Sequence, residues 1–425
     1  MLSTLTDEFP PHTPRPAGAP RALQGVRVVD FSHFIAGPLA TMFLADLGAD
    51  VIKIEPPGRG DDLRRYPPEL PQLPDQGGPF LWGNRGKRSV ALDLKHPDGL
   101  ALARQLIARA DVVVENFSTG VMERLGLGYE ALAARNPGLV MVRISGYGQS
   151  GPYAERPGYG AICEAVGGVR HMTGDPDRPP ARVALATTDY LSSVYAAFGA
   201  VTAIHARTKT GKGQVVDVAL YEAAFTQMEP VVPAYEKLGQ VPMREGANLP
   251  SMAPNSSYPT RDGGWVLIAA NSQPTWRRLV AVMQQPELLT DPRFETIQAR
   301  GKPENMKAID ALIAEWTRGF DAAPLEELLR EGEVPTTRVY TIADIYADPH
   351  FRSRAMLPQV PHPVLGHTTQ SGVVPRLSAT PGGIRHTGPD LGADTRTVLT
   401  DELGLGAERI DELAAAGAVR LPVGH

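Results

Sequence analysis

Cysteine is almost absent from the sequence, which contains the single thiol of Cys163. One cysteine cannot close an intrachain disulfide, and we therefore expect a reducing, cytoplasmic compartment. A cationic excess is absent too, because 42 Lys and Arg residues face 47 Asp and Glu residues and the formal charge is −5. Nucleic-acid binding requires a basic surface, so we expect no nucleic-acid partner.

Long hydrophobic runs are missing as well. No stretch approaches the roughly 18 apolar residues of a membrane-spanning helix, and we expect no membrane partner. The 425 residues are 42% hydrophobic and 21% charged, and these values are typical of a globular protein with two or three domains. Residues 1–21 contain five prolines and are expected to form an arm outside the folded domains.

The common signatures of cofactor, metal and nucleophile sites are not found. The loop at residues 32–37 (SHFIAG) lacks G-x-G-x-x-G, so we expect neither a nicotinamide nor a flavin cofactor. No H-E-x-x-H occurs, and Cys163 has no partner at metal-ligand spacing, so we expect no metal. We interpret Cys163 as a small buried residue and not as a nucleophile.

Strands and helices alternate through the first half of the sequence. Val26–Phe31 predicts a strand, Pro38 to about Leu47 predicts a helix, and Val51–Ile54 predicts the next strand. The pattern continues with strands predicted at 89–94, 111–115, 139–144 and 215–220, and helices at 97–109, 120–132 and 190–205. This alternation predicts an α/β fold with a doubly wound, Rossmann-like large domain, whose ligands bind beyond the carboxyl ends of the strands.

A second, smaller domain is predicted from the middle of the chain. Residues 238–259 are rich in Pro, Asn, Ser and Gly and are interpreted as a linker or an active-site loop. A strand at 265–269 and helices around 275–283 and 307–316 predict a small α/β domain. The predicted divisions are the large domain at 22–225, a linker and the small domain at 226–345, and a second linker with the rest of the large domain at 346–425, of which 395–416 is helical.

Seven blocks of the sequence, in order, carry a family resemblance. The blocks are FSHFIAGPLATMFLADLGADVIKIE (31–55), NRGKRSVALDLK (84–95), DVVVENFSTGVMERLGLGYE (111–130), ISGYGQSGPYAERPGYG (144–160), TGDPDRPPAR (173–182), RTKTGKGQVVDVALYEA (207–223) and PDLGADTRTVLTDELGL (389–405). They resemble the class III CoA-transferases, the family of the formyl-CoA and carnitine enzymes. The resemblance implies a homodimer of two interlocked, ring-like subunits, with an acyl-CoA and a small carboxylic acid as substrates.

The resemblance identifies Asp189 as the catalytic nucleophile. Its carboxylate would attack the donor thioester, and CoA would pass through an aspartyl-CoA thioester to a small acid, such as a dicarboxylic acid. From spacing alone, Asp189 could equally be the N-cap of the helix that follows. The two interpretations are compatible, because a helix N-terminus keeps a nearby carboxylate ionised.

The resemblance also implies which residues bind CoA. They are Leu92 and Lys95 at the nucleotide, Asn116, Phe117 and Arg124 at the pantetheine and phosphates, Ala36 in the first loop, and Tyr159 near the thioester. Without the resemblance, Lys95 and Arg124 would be solvated charges and Phe117 a core residue. Arg170 and His171 could hold a second carboxylate of the acceptor, with a solvated loop arginine as the alternative.

Two departures from the family pattern narrow the expected activity. Ile35 stands where the formyl-CoA enzyme has a polar side chain, and Gly160 stands where an acid is usual, so formyl-CoA:oxalate exchange is not expected. Racemases of 2-methylacyl-CoA, which share the fold, need a histidine and an acid at 159–160, and Tyr159 and Gly160 supply neither. A racemase or epimerase, and a CoA-binding protein without catalysis, are the alternative functions.

Overall fold

A computed structural model of the chain describes residues 18–73, 76–228 and 230–422. Most of the predicted N-terminal arm, residues 1–17, lies outside the described residues. The chain groups into two compact units. The first comprises the described residues up to Val169, Val183–Pro233 and those from Pro349 onward; the second comprises Arg170–Arg182 and Ala234–Asp348. The predicted domain boundaries after residues 225 and 345 stay predictions.

The strands are, in chain order, β1 (Arg27–Asp30), β2 (Asp50–Glu55), β3 (Arg88–Leu92), β4 (Val112–Glu115), β5 (Val140–Ser145), β6 (Val215–Ala219), β7 (Asn255–Pro259), β8 (Trp265–Ala269), β9 (Thr336–Arg338), β10 (Gln359–His362), β11 (Gly366–Thr369) and β12 (Val419–Arg420). In the first unit, seven of them form one sheet in the order β12-β3-β2-β1-β4-β5-β6. All neighbours are parallel except β12, which is antiparallel to β3. The prediction of a mixed α/β fold with a mainly parallel sheet is confirmed.

The helices are, in chain order, α1 (Ala36–Asp46), α2 (Gly78–Gly83), α3 (Pro97–Ile107), α4 (Val121–Arg124), α5 (Tyr129–Ala133), α6 (Gly160–Val166), α7 (Val169–Met172), α8 (Thr187–Thr210), α9 (Leu220–Phe225), α10 (Val231–Leu238), α11 (Gln273–Met283), α12 (Ile297–Arg300), α13 (Pro303–Thr317), α14 (Ala322–Glu331), α15 (Ile342–Ala347), α16 (Pro349–Ser353), α17 (Thr395–Leu403) and α18 (Ala407–Ala415). Short 3₁₀ helices lie at Asp62–Arg65, Thr226–Met228 and Pro286–Leu289. Across the described ranges, no helix is both long and apolar enough to cross a bilayer.

Alternate residues of the central strands pack into two separate hydrophobic cores. Val29 belongs to a core shared with helices α3, α17 and α18, whereas its neighbour Val28 belongs to a core shared with α1 and α8. This follows from the two-residue period of a strand, which sends successive side chains to opposite faces of the sheet. Helices therefore cover both faces of the sheet, which explains why its central strands are mainly apolar and do not alternate between apolar and polar residues.

The sheet reverses its strand order between β1 and β4. The six parallel strands have the order 3-2-1-4-5-6, in which successive crossovers leave β1 in one direction and β4 in the other. Val28, Val29 and Asp30 pair with the first three residues of β4. In doubly wound sheets, ligands bind at such a reversal, beyond the carboxyl ends of the two strands.

The second unit has its own sheet and core. Strands β7, β8 and β9 form an antiparallel sheet, and the core beside it contains the fully buried Trp276 and Phe294. The guanidinium of Arg300 is also buried and donates to the carbonyl oxygens of Ala253, Phe294 and Asn271 and to the side-chain oxygen of Gln273. Four of the five N–H donors of this buried cation are thus bonded to oxygen atoms, which holds these loops together.

Two predicted helices are each divided in the structure. The helix predicted at 120–132 is α4 and α5, because Gly126 between them has a φ of +65°. The helix predicted at 395–416 is α17 and α18, and Gly404 after α17 has a φ of +72°. A left-handed backbone terminates an α-helix, and glycine adopts it without steric cost.

Candidate active site

Asn116 connects the loops that follow β1 and β4. The Asn116 Oδ1 accepts the backbone N–H of His33 at 2.8 Å, and its Nδ2 donates to the carbonyl oxygen of His33 at 2.8 Å. The half-buried ring of Phe117 lies 5.6 Å from the His33 ring. Asn116 therefore joins the loop after β4 to the loop after β1, and Phe117 lies beside that junction.

Asp189 lies in the first turn of α8, three residues after the N-cap residue Ala186, so the alternative prediction that Asp189 is the N-cap is wrong. Its carboxylate is directed at the start of α6. Asp189 is half-buried, and a Cβ added at Gly160 would overlap its Oδ2 and lie 2.8 Å from its Cγ. Gly160 is the first residue of α6. The N-terminus of a helix carries a partial positive charge, which favours the ionised form of a carboxylate placed against it.

Cys163 is one turn further along α6. Its burial and the negative charge of Asp189 raise the pKa of the thiol to about 11, and the thiol lies 3.3 Å from the carbonyl oxygen of Gly146. A thiol with such a pKa stays protonated at neutral pH and is a poor nucleophile. This agrees with the interpretation of Cys163 as a buried residue, and the role of Asp189 as nucleophile stays a prediction.

Ser193 of α8 connects the first turn of that helix to Ala36, the first residue of α1. The Ser193 Oγ lies 2.6 Å from the carbonyl oxygen of Asp189 and 2.7 Å from that of Ala36, and its proton can bond to one of them at a time. The rings of Phe43 and Tyr190 meet edge to face at 5.5 Å. The first turn of α8 is therefore in contact with the start of α1, and a common site for Asp189, Ala36 and Asn116 stays a prediction.

The other residues predicted to bind CoA lie in different surroundings. Lys95 and Arg124 are exposed, and Tyr159 is 70% exposed. Leu92 is only 1% exposed as a whole residue and packs in the core. Their CoA contacts stay predictions.

The two residues predicted to hold a second carboxylate of the acceptor belong to the second compact unit. These residues are Arg170 and His171, whereas Asp189 belongs to the first unit. The role assigned to Arg170 and His171 stays a prediction.

Two features of this site were not predicted from the sequence. The first is the close approach of Gly160 to Asp189, which depends on how α6 packs against α8 and has no local signal. The second is a set of buried charges under the first loop, including Lys53 and Asp61, which are both 0% exposed. Lys53 is a charge inside the otherwise apolar run VIKI, and this irregularity is the signal that could have found it.

Comparison with known proteins identifies the class. The chain matches CoA-transferase family III over residues 23–395. It belongs to that family, which confirms the resemblance of its seven blocks, and it is therefore an enzyme of the class III CoA-transferase type.

Individual relatives agree with this class. The chain is 46% identical to the succinyl-CoA–D-citramalate CoA-transferase of Chloroflexus aurantiacus, over 95% of this chain and 98% of that protein. It is 38% identical to the succinyl-CoA:mesaconate CoA-transferase of Haloarcula marismortui, over 92% and 99%. Its structure is similar to that of a CAIB/BAIF family protein from Brucella suis, with a TM-score of 0.80 and 34% identity over 90% of this chain and 100% of that one.

Gly160→Ala is expected to slow CoA exchange about a hundredfold. The added methyl group would occupy the space of the Asp189 carboxylate and force it out of its position, and small displacements of a reacting group are costly. The rate of exchange and the unfolding temperature would be measured together. Gly383→Ala is the matched control, because nothing lies within 4 Å of a Cβ there. Wild-type exchange in Gly160→Ala would contradict the observed position of Asp189.

Proposed function

We propose that the enzyme takes CoA from succinyl-CoA and delivers it to a short dicarboxylic acid through a covalent intermediate on Asp189. The two relatives named above both use succinyl-CoA, and their acceptors, D-citramalate and mesaconate, are both short dicarboxylic acids. The single observation that carries the mechanism is the position of the half-buried Asp189, whose carboxylate lies against Gly160, the first residue of α6.

The first half of the proposed reaction transfers CoA to the enzyme. The Asp189 carboxylate attacks the thioester carbonyl of succinyl-CoA, and the CoA thiolate leaves, which gives a mixed anhydride of Asp189 and succinate. The thiolate then attacks the Asp189 carbonyl of the anhydride. Succinate leaves, and CoA is bound to Asp189 as a thioester.

The second half repeats these steps with the acceptor. A carboxylate of the acceptor attacks the Asp189 thioester, and CoA leaves again as the thiolate. The thiolate attacks the acceptor carbonyl of the new anhydride, which releases the acceptor's CoA thioester and regenerates the Asp189 carboxylate. Negative charge develops on a carbonyl oxygen at each attack, and the backbone N–H groups at the start of α6 are suitable donors for it.

The proposed CoA site runs from Asp189 along the carboxyl edge of the sheet. Asn116 and Phe117 would contact the pantetheine arm, close to Ala36. Lys95 and Arg124 would bind phosphate groups, which is supported by their exposed positive charges. The proposal includes no metal and no redox cofactor, because acyl transfer between carboxylates and a thiol needs neither.

We also propose that the protein forms the interlocked homodimer that its family resemblance implies. One face of α8 carries exposed apolar side chains at helical spacing, namely Tyr190, Val194, Phe198 and Val201, which are 44%, 42%, 69% and 37% exposed. A continuous apolar face of this kind supports a protein partner. A second copy of the chain is the partner that the resemblance gives.

Two interlocked rings cannot exchange subunits unless one of them unfolds, so we expect subunit exchange between folded dimers to be very slow. Tagged and untagged copies that are purified separately and mixed should give no mixed dimer over a day, whereas co-expression should give one. Native mass spectrometry of both samples would measure it. Rapid formation of mixed dimers from separately purified samples, or a monomeric protein at micromolar concentration, would contradict the interlocked dimer.

The donor and the acceptor can be tested by a screen. Succinyl-CoA would be incubated with a panel of carboxylic acids, and new CoA thioesters would be identified by mass spectrometry. Short dicarboxylic acids are expected to react at least about tenfold faster than monocarboxylic acids of equal length, because a site that pairs a carboxylate discriminates against its absence. Binding of CoA without exchange, or deuterium entry at the α-carbon without exchange, would contradict the proposal.

A further inference from the structure

The loop between β1 and α1 contains a strained residue. Phe34 has a φ of +62°, and this left-handed conformation costs a non-glycine residue on the order of 1–2 kcal/mol. Such a residue persists only where its surroundings hold it. Phe34 is two residues before Ala36 and one residue after His33, which Asn116 binds. The strain therefore lies inside the loop that the proposed function assigns to CoA.

Two fully buried side chains, in addition to Asn116, hold this strained loop. The Asp61 Oδ1 accepts the backbone N–H of Phe34 at 3.0 Å, and the Lys53 Nζ donates to the carbonyl oxygen of Ser32 at 2.8 Å. Lys53 and Asp61 also pair with each other at 2.8 Å, and both side chains are 0% exposed. Ser32, His33 and Phe34 are thus each bound by a side chain from another segment.

Asp61 is itself held by two hydrogen bonds besides its ion pair with Lys53. Its Oδ1 accepts the N–H of Leu63 at 2.9 Å and so caps a 3₁₀ helix. Its own N–H donates to the Oε2 of Glu55 at 3.0 Å, and Glu55 is held in turn by Arg64 at 2.7 Å. An acceptor that is anchored in this way cannot follow the loop if the loop relaxes, so it determines where the loop lies.

We propose that Asp61 is a positioning residue for acyl-CoA, which holds Phe34 in its left-handed conformation and so keeps the first loop in the shape that receives the ligand. The inference rests on the proposed function of that loop. Without the Asp61 acceptor, Phe34 relaxes to a negative φ and the loop must be reordered at each binding event. Reordering reduces affinity and leaves the bound complex unchanged. The effect therefore falls on KM and not on kcat.

Two substitutions separate the hydrogen bond from the charge. Asp61→Asn and Asp61→Ala both remove the negative charge beside Lys53, but only Asp61→Ala removes the acceptor of the Phe34 N–H. We expect Asp61→Ala to raise the KM for succinyl-CoA about tenfold, which corresponds to the loss of one hydrogen bond of about 1.4 kcal/mol. We expect Asp61→Asn to raise it less than about threefold, and kcat to stay within about threefold of wild type in both variants.

A second buried ion pair supplies the control. Asp46 pairs with Arg85 at 2.6 Å, and the side chains of Asp46 and Arg85 are 3% and 2% exposed. The hydrogen bonds of the Asp46 side chain go to Arg85 and not to the loop between β1 and α1. Asp46→Ala should lower the unfolding temperature as the Asp61 variants do and leave the KM for succinyl-CoA unchanged. Equal KM increases in Asp61→Asn and Asp61→Ala, or the same increase in Asp46→Ala, would overturn the proposal.

Hydrogen exchange on the wild-type enzyme tests the same idea without any variant. The amides of His33 and Phe34 should be protected before CoA is added, and CoA should change their exchange by less than about threefold. Exchange in the free enzyme as fast as that of an unstructured chain would contradict a preorganised loop. These results do not depend on the covalent step, because failure of the proposed function would instead appear as the absence of a CoA adduct on Asp189.

Discussion

Asp189→Asn is expected to lose at least about a thousandfold in the rate of CoA exchange, because a carboxamide cannot attack the thioester or form the anhydride. The carboxamide fills nearly the same space against Gly160, so the affinity for succinyl-CoA should stay within about threefold of wild type. Exchange would be followed by mass spectrometry of the CoA thioesters, and affinity by calorimetry. This separation of rate from affinity is what the loss of a nucleophile produces and the loss of a purely structural carboxylate does not.

Two further variants make this result interpretable. Glu130→Gln removes an exposed carboxylate from the same unit and should keep wild-type exchange. Asp189→Ala cannot revert to aspartate by deamidation and should be at least as inactive as Asp189→Asn. If Asp189→Ala instead loses stability and affinity but keeps most of its exchange rate, Asp189 has only a structural role in the first turn of α8 and the nucleophile is another group.

Lys87→Met is expected to cost about 3–5 kcal/mol of unfolding free energy, because it leaves a buried carboxylate without its partner. Lys87 and Asp30 are both 0% exposed and pair at 3.0 Å. The Lys87 Nζ also donates to the carbonyl oxygen of Pro38 at 2.8 Å and to the Oδ1 of Asn84 at 2.9 Å. Thermal unfolding should shift down by about 5–10 °C, and Lys212→Met, at an exposed lysine, should shift it by less than about 1 °C.

The same pair gives a pH dependence with a definite sign. Burial alone would raise the pKa of Asp30, but the ammonium groups of Lys87 and Lys53 outweigh burial and lower this pKa below its ordinary value of 3.8. Below about pH 5 the unfolded chain therefore binds more protons than the folded one, and the stability from Asp30 is lost as the pH falls. A double variant, Asp30→Asn with Lys87→Met, should show a shallower loss of stability between pH 5 and 3. An equally steep loss would contradict this assignment.

The central crossover could be predicted from the sequence because its signals are local. The β-branched run of β1, Pro38 in the first turn of α1 and Gly48 after it lie within one short stretch, and the structure has these elements within about two residues of their predicted bounds. Strand β12 was not predicted, since its two residues, Val419 and Arg420, are too few to show a period. Its pairing with β3 joins segments that are more than 300 residues apart in the chain.

The candidate site could be predicted only in part. Asp189 was identified through the order of the family blocks, because its local sequence fits a helix N-cap equally well. Gly160 and Asp189 approach each other although they are 29 residues apart in the chain. The hydrogen bond that Phe34 donates to Asp61 joins residues that are 27 apart. Such approaches are set by packing between elements, and no pattern within one element reports them.

The most direct test is the location of CoA on the enzyme during turnover. Wild-type enzyme would be mixed with succinyl-CoA in the absence of acceptor, quenched in acid, digested and analysed by mass spectrometry. We predict that the peptide containing Asp189 carries the added mass of CoA, that hydroxylamine removes it, and that Asp189→Ala shows none. Continued exchange with no adduct, or with an adduct on another peptide, would contradict the central role of Asp189.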